Sequence, residues 1–244
     1  MAHAEISPSG FYRLELCPGS HALERTVPRL PPSKFTAEGE AAHEVAPNSF
    51  ATGIAAAEFL GSKISVSGFV IEVDAEMVKH VQTYIDAVQQ DAVGGQLYVE
   101  HRVVFGQGLT SREAFGTADA IVVKPNSISI HDLKYGKGVP VVAKNNSQLA
   151  LYAIGATAEF GLVGIEHIHM HIHQPRRNNH SIWTITPLEL HEFATYAKGV
   201  IEQALSPDAP FVPGKKQCQF CNAKSVCPAV QAKTSLAFDV LPKP

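Results

Sequence analysis

An α/β fold with one mixed sheet covered by helices on both faces is what this 244-residue chain predicts. Three observations carry that reading. Alternating apolar stretches follow one another at 96–105, 116–124 and 127–134, stretches of helical spacing lie on either side of them, and a further alternating run stands alone at 165–175. Strands gathered in a run and bracketed by helices bury both sheet faces, and one mixed sheet does this most simply.

The elements follow in order. Residues 37–61, AEGEAAHEVAPNSFATGIAAAEFLG, are rich in alanine and predict a helix that Pro47 breaks or kinks. A second helix starts at Asp74, a good N-cap, and sets Val78, Val81, Ile85 and Val88 on one stripe. The strands QLYVEHRVVF, GTADAIVVK and SISIHDLK come next, with the turn signal KPNS joining the last two into a hairpin tipped by Pro125 and Asn126. Residues 145–161 return to helical spacing and stop at Gly161, IEHIHMHIHQP is a strand, and a last helix runs from about Pro187 to Leu205. The order is helix, three strands, helix, strand, helix.

Composition bounds the function. Hydrophobic residues make up 45% and charged residues 18% of the chain, enough for one large core with appendages. The formal charge is −3, from 20 Lys plus Arg against 23 Asp plus Glu, so no overall basic field advertises a nucleic-acid partner and any phosphate binding is local. No apolar run reaches the roughly 18 residues of a membrane span, and MAHAEISPSG lacks a basic patch followed by an apolar stretch. The expected location is the cytoplasm, of a bacterium or a phage-infected host cell.

The hairpin holds the most informative residues. If Lys124 faces Ser127, Asp119 falls opposite Asp132, and alternation places Asp119, Ile121 and Val123 on the face of Ile128, Ile130, Asp132 and Lys134. Two carboxylates and an ammonium then crown an apolar surface. Facing like charges destabilise a sheet unless a cation sits between them, and a divalent metal answers that economically. A plain ion pair through Lys134, or a one-residue slip that separates the aspartates, fits the same residues.

Four cysteines are present: Cys17, then Cys218, Cys221 and Cys227 in CQFCNAKSVCP. In a cytoplasmic chain a C-x2-C-x5-C cluster reads as metal binding, and a fourth thiolate from Cys17 requires the two ends of the chain to meet. Iron-sulfur and zinc both suit such a set.

Asp119 in GTADAI with Asp132-Leu133-Lys134 in HDLK resembles the PD-(D/E)XK nuclease pattern. EGEAAHE is similar to the helical motif of its RecB branch, whose His maps to His43, and QLALY to the downstream Gln-x-x-x-Tyr motif, mapping to Gln148 and Tyr152. The distant cysteine plus the C-terminal three resembles the iron-sulfur staple of AddB-type nucleases and CRISPR-associated RecB-like exonucleases. HDLKYGKGVPV, NNSQLALYA and QPR extend the resemblance to phage-associated RecB-like proteins. One departure is Asp132, where many relatives carry Glu and reach further.

The resemblance implies a restriction-endonuclease-like core at 37–206, between an N-terminal helical segment (1–36) and a cysteine-rich segment (207–244) that closes onto it. It implies a DNA exonuclease in phage recombination, repair or CRISPR-type processing, with recombination, helicase or CRISPR proteins as partners. Asp119, Asp132 and the Leu133 carbonyl would hold Mg2+ or Mn2+ with His43 as a further ligand, its nitrogen favouring Mn2+. Lys134 would orient or deprotonate the attacking water, and Gln148 and Tyr152 would position substrate. Cys17, Cys218, Cys221 and Cys227 would carry a four-iron, four-sulfur (4Fe-4S) cluster, with zinc as the rival. Lys137, Arg176 and Arg177 are candidates for the DNA backbone. The alternative classes are a non-catalytic DNA-end binding or adaptor protein and a zinc-stapled structural component of a phage particle. His167, His169, His171 and His173 read as a half-exposed strand face with no carboxylate partner, and Glu100 faces either cleft or solvent.

Overall fold

The computed structural model describes residues 4–239; residues 1–3 and 240–244, the outer ends of the two terminal segments, lie outside the described residues. Helices α1 (Pro8–Leu16), α2 (Ser20–Glu24) and α3 (Lys34–Thr52) lead into a hairpin of β1 (Lys63–Val66) and β2 (Phe69–Glu72) and then α4 (Ala75–Asp91). There follow β3 (Gln96–Val104), β4 (Phe115–Val123), β5 (Ser127–Leu133), α5 (Ser147–Phe160), β6 (His167–Gln174), β7 (Asn179–Ile185), α6 (Pro187–Leu205) and α7 (Pro228–Asp239). Strands β3 to β7 form one five-stranded sheet in chain order. All neighbours are antiparallel except β5 and β6, which are parallel and joined through α5. The fold is therefore α/β with a mixed sheet. Among the described residues, no helix is long and apolar enough to cross a membrane.

Both sheet faces are covered. On one, Ala41, Val45, Val81, Tyr84 and Ile85 from α3 and α4 pack on Ala120 and Leu133. On the other, Leu149, Ala153 and Ala156 of α5 and Leu190 of α6 pack on Ile121, Ile128, Ile130 and Met170. A third cluster seats Phe11 and Leu14 of α1 against Leu151, Ala197 and Ile201.

Three readings of the sequence need correction. Helix α3 runs unbroken through Pro47. The proline forfeits only the bond to the carbonyl of His43, and burial of Ala37, Ala41, Ala42 and Val45 outweighs a cost of about 3 kcal/mol. The same helix starts at Lys34, where the Ser33 hydroxyl accepts from the Thr36 N–H at 3.2 Å, and stops at Gly53, whose φ of 71° suits glycine. Beyond it, residues 54–61 hold only a 3-10 turn, Ala56–Phe59.

Two further elements carried readable signals. In KISVSGFVIE, Ser67 and Gly68 both have positive φ, 49° and 80°, the geometry of a two-residue hairpin turn between β1 and β2. NHSIWTI is an edge strand, β7, whose burial alternates.

Helix α5 approaches β3 closely because residue 155 is glycine. A Cβ there would lie 2.7 Å from the Val103 Cβ. Gly155→Ala is expected to destabilise the fold by about 1–3 kcal/mol in urea unfolding, since packed cores yield little to an added methyl group.

The C-terminal segment returns to the N-terminal one. The Gly19 N–H donates to the Pro210 carbonyl at 2.9 Å, Arg13 Nη2 to the Phe220 carbonyl at 2.9 Å, and the Asn222 N–H to Glu24 Oε1 at 2.8 Å.

Candidate active site

The site forms where β4 and β5 part. Their pairing runs from Val123 with Ile128 to Ala120 with His131, the register that the KPNS tip predicts. One step further, Asp119 Oδ2 accepts the Leu133 N–H at 2.6 Å, so a side chain takes over from the ladder. That exchange fixes Asp119 beside Asp132 at the open end of the sheet.

The neighbours arrive from α3, β5 and α5. Helix α3 brings His43, whose Nδ1 lies 3.5 Å from Asp119 Oδ1. Strand β5 brings Asp132, which is 2% exposed, and Lys134 follows it. Lys134 Nζ donates to Asp132 Oδ1 and to Gln148 Oε1, both at 3.1 Å. The Gln148 amide donates to Asp132 Oδ1 at 3.0 Å and to the Tyr152 hydroxyl at 3.2 Å, so the i, i+4 pair on α5 addresses the site from one helix face. Asp132 Oδ2 is buried and has no hydrogen bond. Lys134 Nζ is 2.9 Å from it, close enough for charge attraction but off the line a hydrogen bond needs.

Glu100 completes the group, and the sequence left its direction open. Val99 pairs with Ala120 and His101 with Ala118, which puts Glu100 opposite Asp119. Its φ of 47° is rare for a residue with a side chain and marks local strain in β3. His43, Glu100 and Asp119 each offer a ligand atom, all within 4.8 Å of one another.

The electrostatics are those of a site with excess negative charge. Glu100 is exposed at the surface, yet partial desolvation of its carboxyl, with Asp119 adding and His43 opposing, pushes it up to about 7. Burial alone would depress His43, but Asp119 more than offsets it and lifts the imidazole to about 9. Burial would likewise raise Asp119, yet His43, Lys134 and the Leu133 N–H hold it below its ordinary range. Asp132 goes the other way, raised by burial and by Asp119 in spite of Lys134. Lys134 is raised because the two aspartates outweigh burial. Oxygen donors with one imidazole fit a hard divalent ion, Mn2+ or Mg2+. The Asp132 oxygen that has an ion pair with Lys134 but no hydrogen bond fits one also.

A family model described as a protein of unknown function (DUF2800) matches residues 3–243. The chain belongs to this family. Among solved structures, this DUF2800 chain is similar to the crystal structure of SSO0001 at 17% identity and a TM-score of 0.34, over 64% of this chain and 71% of that one. It is also similar to the crystal structure of protein VC1899 from Vibrio cholerae at 13% identity and a TM-score of 0.26, over 88% of this chain and 54% of that one.

The remaining candidates have definite places. Lys137 pairs with Glu76 at 2.7 Å, and Arg176 pairs with Glu76 at 3.2 Å while lying over the Tyr135 ring at 4.6 Å. Arg177 donates to the carbonyls of Lys137 and Gly138 at 2.7 and 2.8 Å, so these three cations sit together but are held by intramolecular partners. Leu133, the last residue of β5, is buried in the core cluster that α3 and α4 form on that sheet face. Cys17, Cys218, Cys221 and Cys227 line one small cavity in this DUF2800 chain, none of them in a disulfide. The Val212 N–H points at Cys17 Sγ at 3.3 Å and the Gly214 N–H at Cys218 Sγ at 3.4 Å, contacts that suit thiolates.

Proposed function

We propose that this chain is a divalent-metal-dependent deoxyribonuclease of the PD-(D/E)XK type, RecB branch, acting on DNA ends. The observation that carries this reading is the convergence of His43, Glu100 and Asp119 within 4.8 Å, beside a buried Asp132 that leaves one oxygen without a hydrogen bond. A purely structural ion pair has no use for a third carboxylate or a strained strand.

His43, Glu100, Asp119 and Asp132 would hold the ion, Mn2+ or Mg2+. When bound, it supplies Lewis acidity at the phosphate and an activated water. Lys134, held between Asp132 and Gln148, keeps its proton and faces charge developing on the phosphate oxygens. Gln148 and Tyr152 fix the orientation of Asp132 and Lys134 through the chain of hydrogen bonds along α5. In a chain of formal charge −3, attraction for DNA then comes from the site and from the Lys137, Arg176 and Arg177 group. Cys17, Cys218, Cys221 and Cys227 would carry a 4Fe-4S staple joining the two ends of the chain; four cysteines around one cavity support a soft-metal group.

Digestion of end-labelled linear duplex and single-stranded DNA with Mn2+, beside a covalently closed circle, tests the reading. Linear DNA is expected to shorten, the circle to survive, and a chelator to stop the shortening. Linear DNA that stays intact with Mn2+ and with Mg2+ overturns it. Iron and acid-labile sulfide near four each per chain after anaerobic purification support the cluster, whereas one zinc and no iron replaces it.

A further inference from the structure

Away from that site, a second group of ligand-type side chains gathers on the α4 side of the sheet. Parallel pairing of β5 with β6 sets His131 beside His171 and Leu133 beside His173, and β7 sets His180 beside His173. The half-exposed strand face holds for His167, His169 and His171, whereas His173 is buried, as is His131 beside it, and His180 is exposed. The missing carboxylate is Asp91, delivered by the last turn of α4, 3.0 Å from His131 Nε2 and held by Lys124 at 2.7 Å.

We propose that His131, His171 and His173, with His180 as a fourth donor, form a second metal site that takes Zn2+ or a similar borderline transition ion. The three buried or half-buried imidazoles each offer a nitrogen, all within 4.8 Å of one another. His131 Nδ1 lies 3.0 Å from His173 Nε2, and His171 Nδ1 lies 3.2 Å from His180 Nε2. Nitrogens at about 2.0–2.1 Å from a tetrahedral ion stand about 3.3 Å apart, so these pairs need move only a few tenths of an ångström. Asp91 on the far nitrogen of His131 gives the carboxylate–histidine arrangement that orients a metal-ligating ring and raises its basicity. Burial, with His131 next, holds His171 down to about 3 and His173 to about 2, so both keep free lone pairs at neutral pH. A groove lined by Tyr84, His173 and His180, and also by Lys79, Arg176 and Arg177, opens two of the four donors to solvent.

The two sites differ in hardness. All-imidazole ligation favours Zn2+, whereas the oxygen-rich site favours Mg2+ or Mn2+, so excess Mg2+ should not displace Zn2+ from the histidines. Full-length protein stripped with chelator and dialysed against Zn2+ in excess Mg2+ is expected to hold one more zinc per chain than His171→Gln/His180→Gln. Those two positions are not fully buried, so the fold is expected to survive. Imidazole-15N spectra of the native chain give an independent reading that needs no variant. Added Zn2+ should shift the ring nitrogens of His131, His171 and His173 together, at one equivalent. Equal zinc content in native and variant chains, or ring spectra indifferent to Zn2+, overturns the proposal.

Discussion

Asp119→Asn is expected to lower the rate of Mn2+-dependent DNA hydrolysis by about three orders of magnitude or more, with the folded state preserved. Asparagine keeps an oxygen to accept the Leu133 N–H, so the bond that ends the β4–β5 ladder survives. What disappears is the charge that faces His43 at 3.5 Å and lies opposite Glu100. Lys134→Met is expected to lose about two to four orders of magnitude, because its ammonium is the cation that buried Asp132 presents to the reacting phosphate. Circular dichroism and urea midpoints close to those of the native chain would place both losses on chemistry. Native rates in both variants would remove catalysis from this site.

The hairpin that carries those residues was legible because its information is local. KPNS fixes the tip, period-two alternation fixes the faces, and Asp119 beside Asp132 follows without any tertiary knowledge. Glu100 was not legible in the same way. Its position depends on pairing across the ten-residue connection from Phe105 to Ala114, and no turn signal in that stretch sets a register. Asp91 was harder still, since a carboxylate at the end of α4 reaches His131 only through the packing of helix on sheet. Pro47 shows local preference overruled, because a stripe of small buried residues holds α3 to the core on both sides of it. Strand β7 and the β1–β2 hairpin show the opposite, alternation present in the sequence but with weak apolar contrast, because β7 is a half-exposed edge and β1 and β2 have only four residues each.

The second large effect is on stability in acid. His171 and His173 are held neutral in the fold, at about 3 and about 2, by burial first and His131 next. In the unfolded chain both titrate near the ordinary value of about 6.5, so below that pH the unfolded state binds more protons. The stabilisation these residues contribute is therefore complete above pH of about 6.5 and drains away as pH falls toward their folded values. From pH 7 to 5 the loss is up to about 2 kcal/mol for each, large against a domain stability of about 5–15 kcal/mol. Glu100 works the other way, since a carboxyl raised to about 7 takes up its proton earlier in the folded state and adds stability over the same interval. His43, raised to about 9, has its full contribution below pH of about 6.5 and loses it as pH rises through 9. The informative quantity is consequently a difference. In chelator-containing buffer, urea unfolding of His171→Gln/His173→Gln should depend less steeply on pH between 7 and 5 than that of the native chain, by at most about 4 kcal/mol in all. Parallel pH profiles would show that His171 and His173 are protonated in the fold.

Crystals soaked in Mn2+ and measured at the manganese absorption edge address the catalytic account most directly. The account predicts one strong anomalous peak at the end of β4, within ligand distance of His43 and Asp119 and flanked by Glu100 and Asp132, that vanishes in Asp119→Asn. A peak elsewhere, or none among these side chains under conditions where manganese binds, contradicts it.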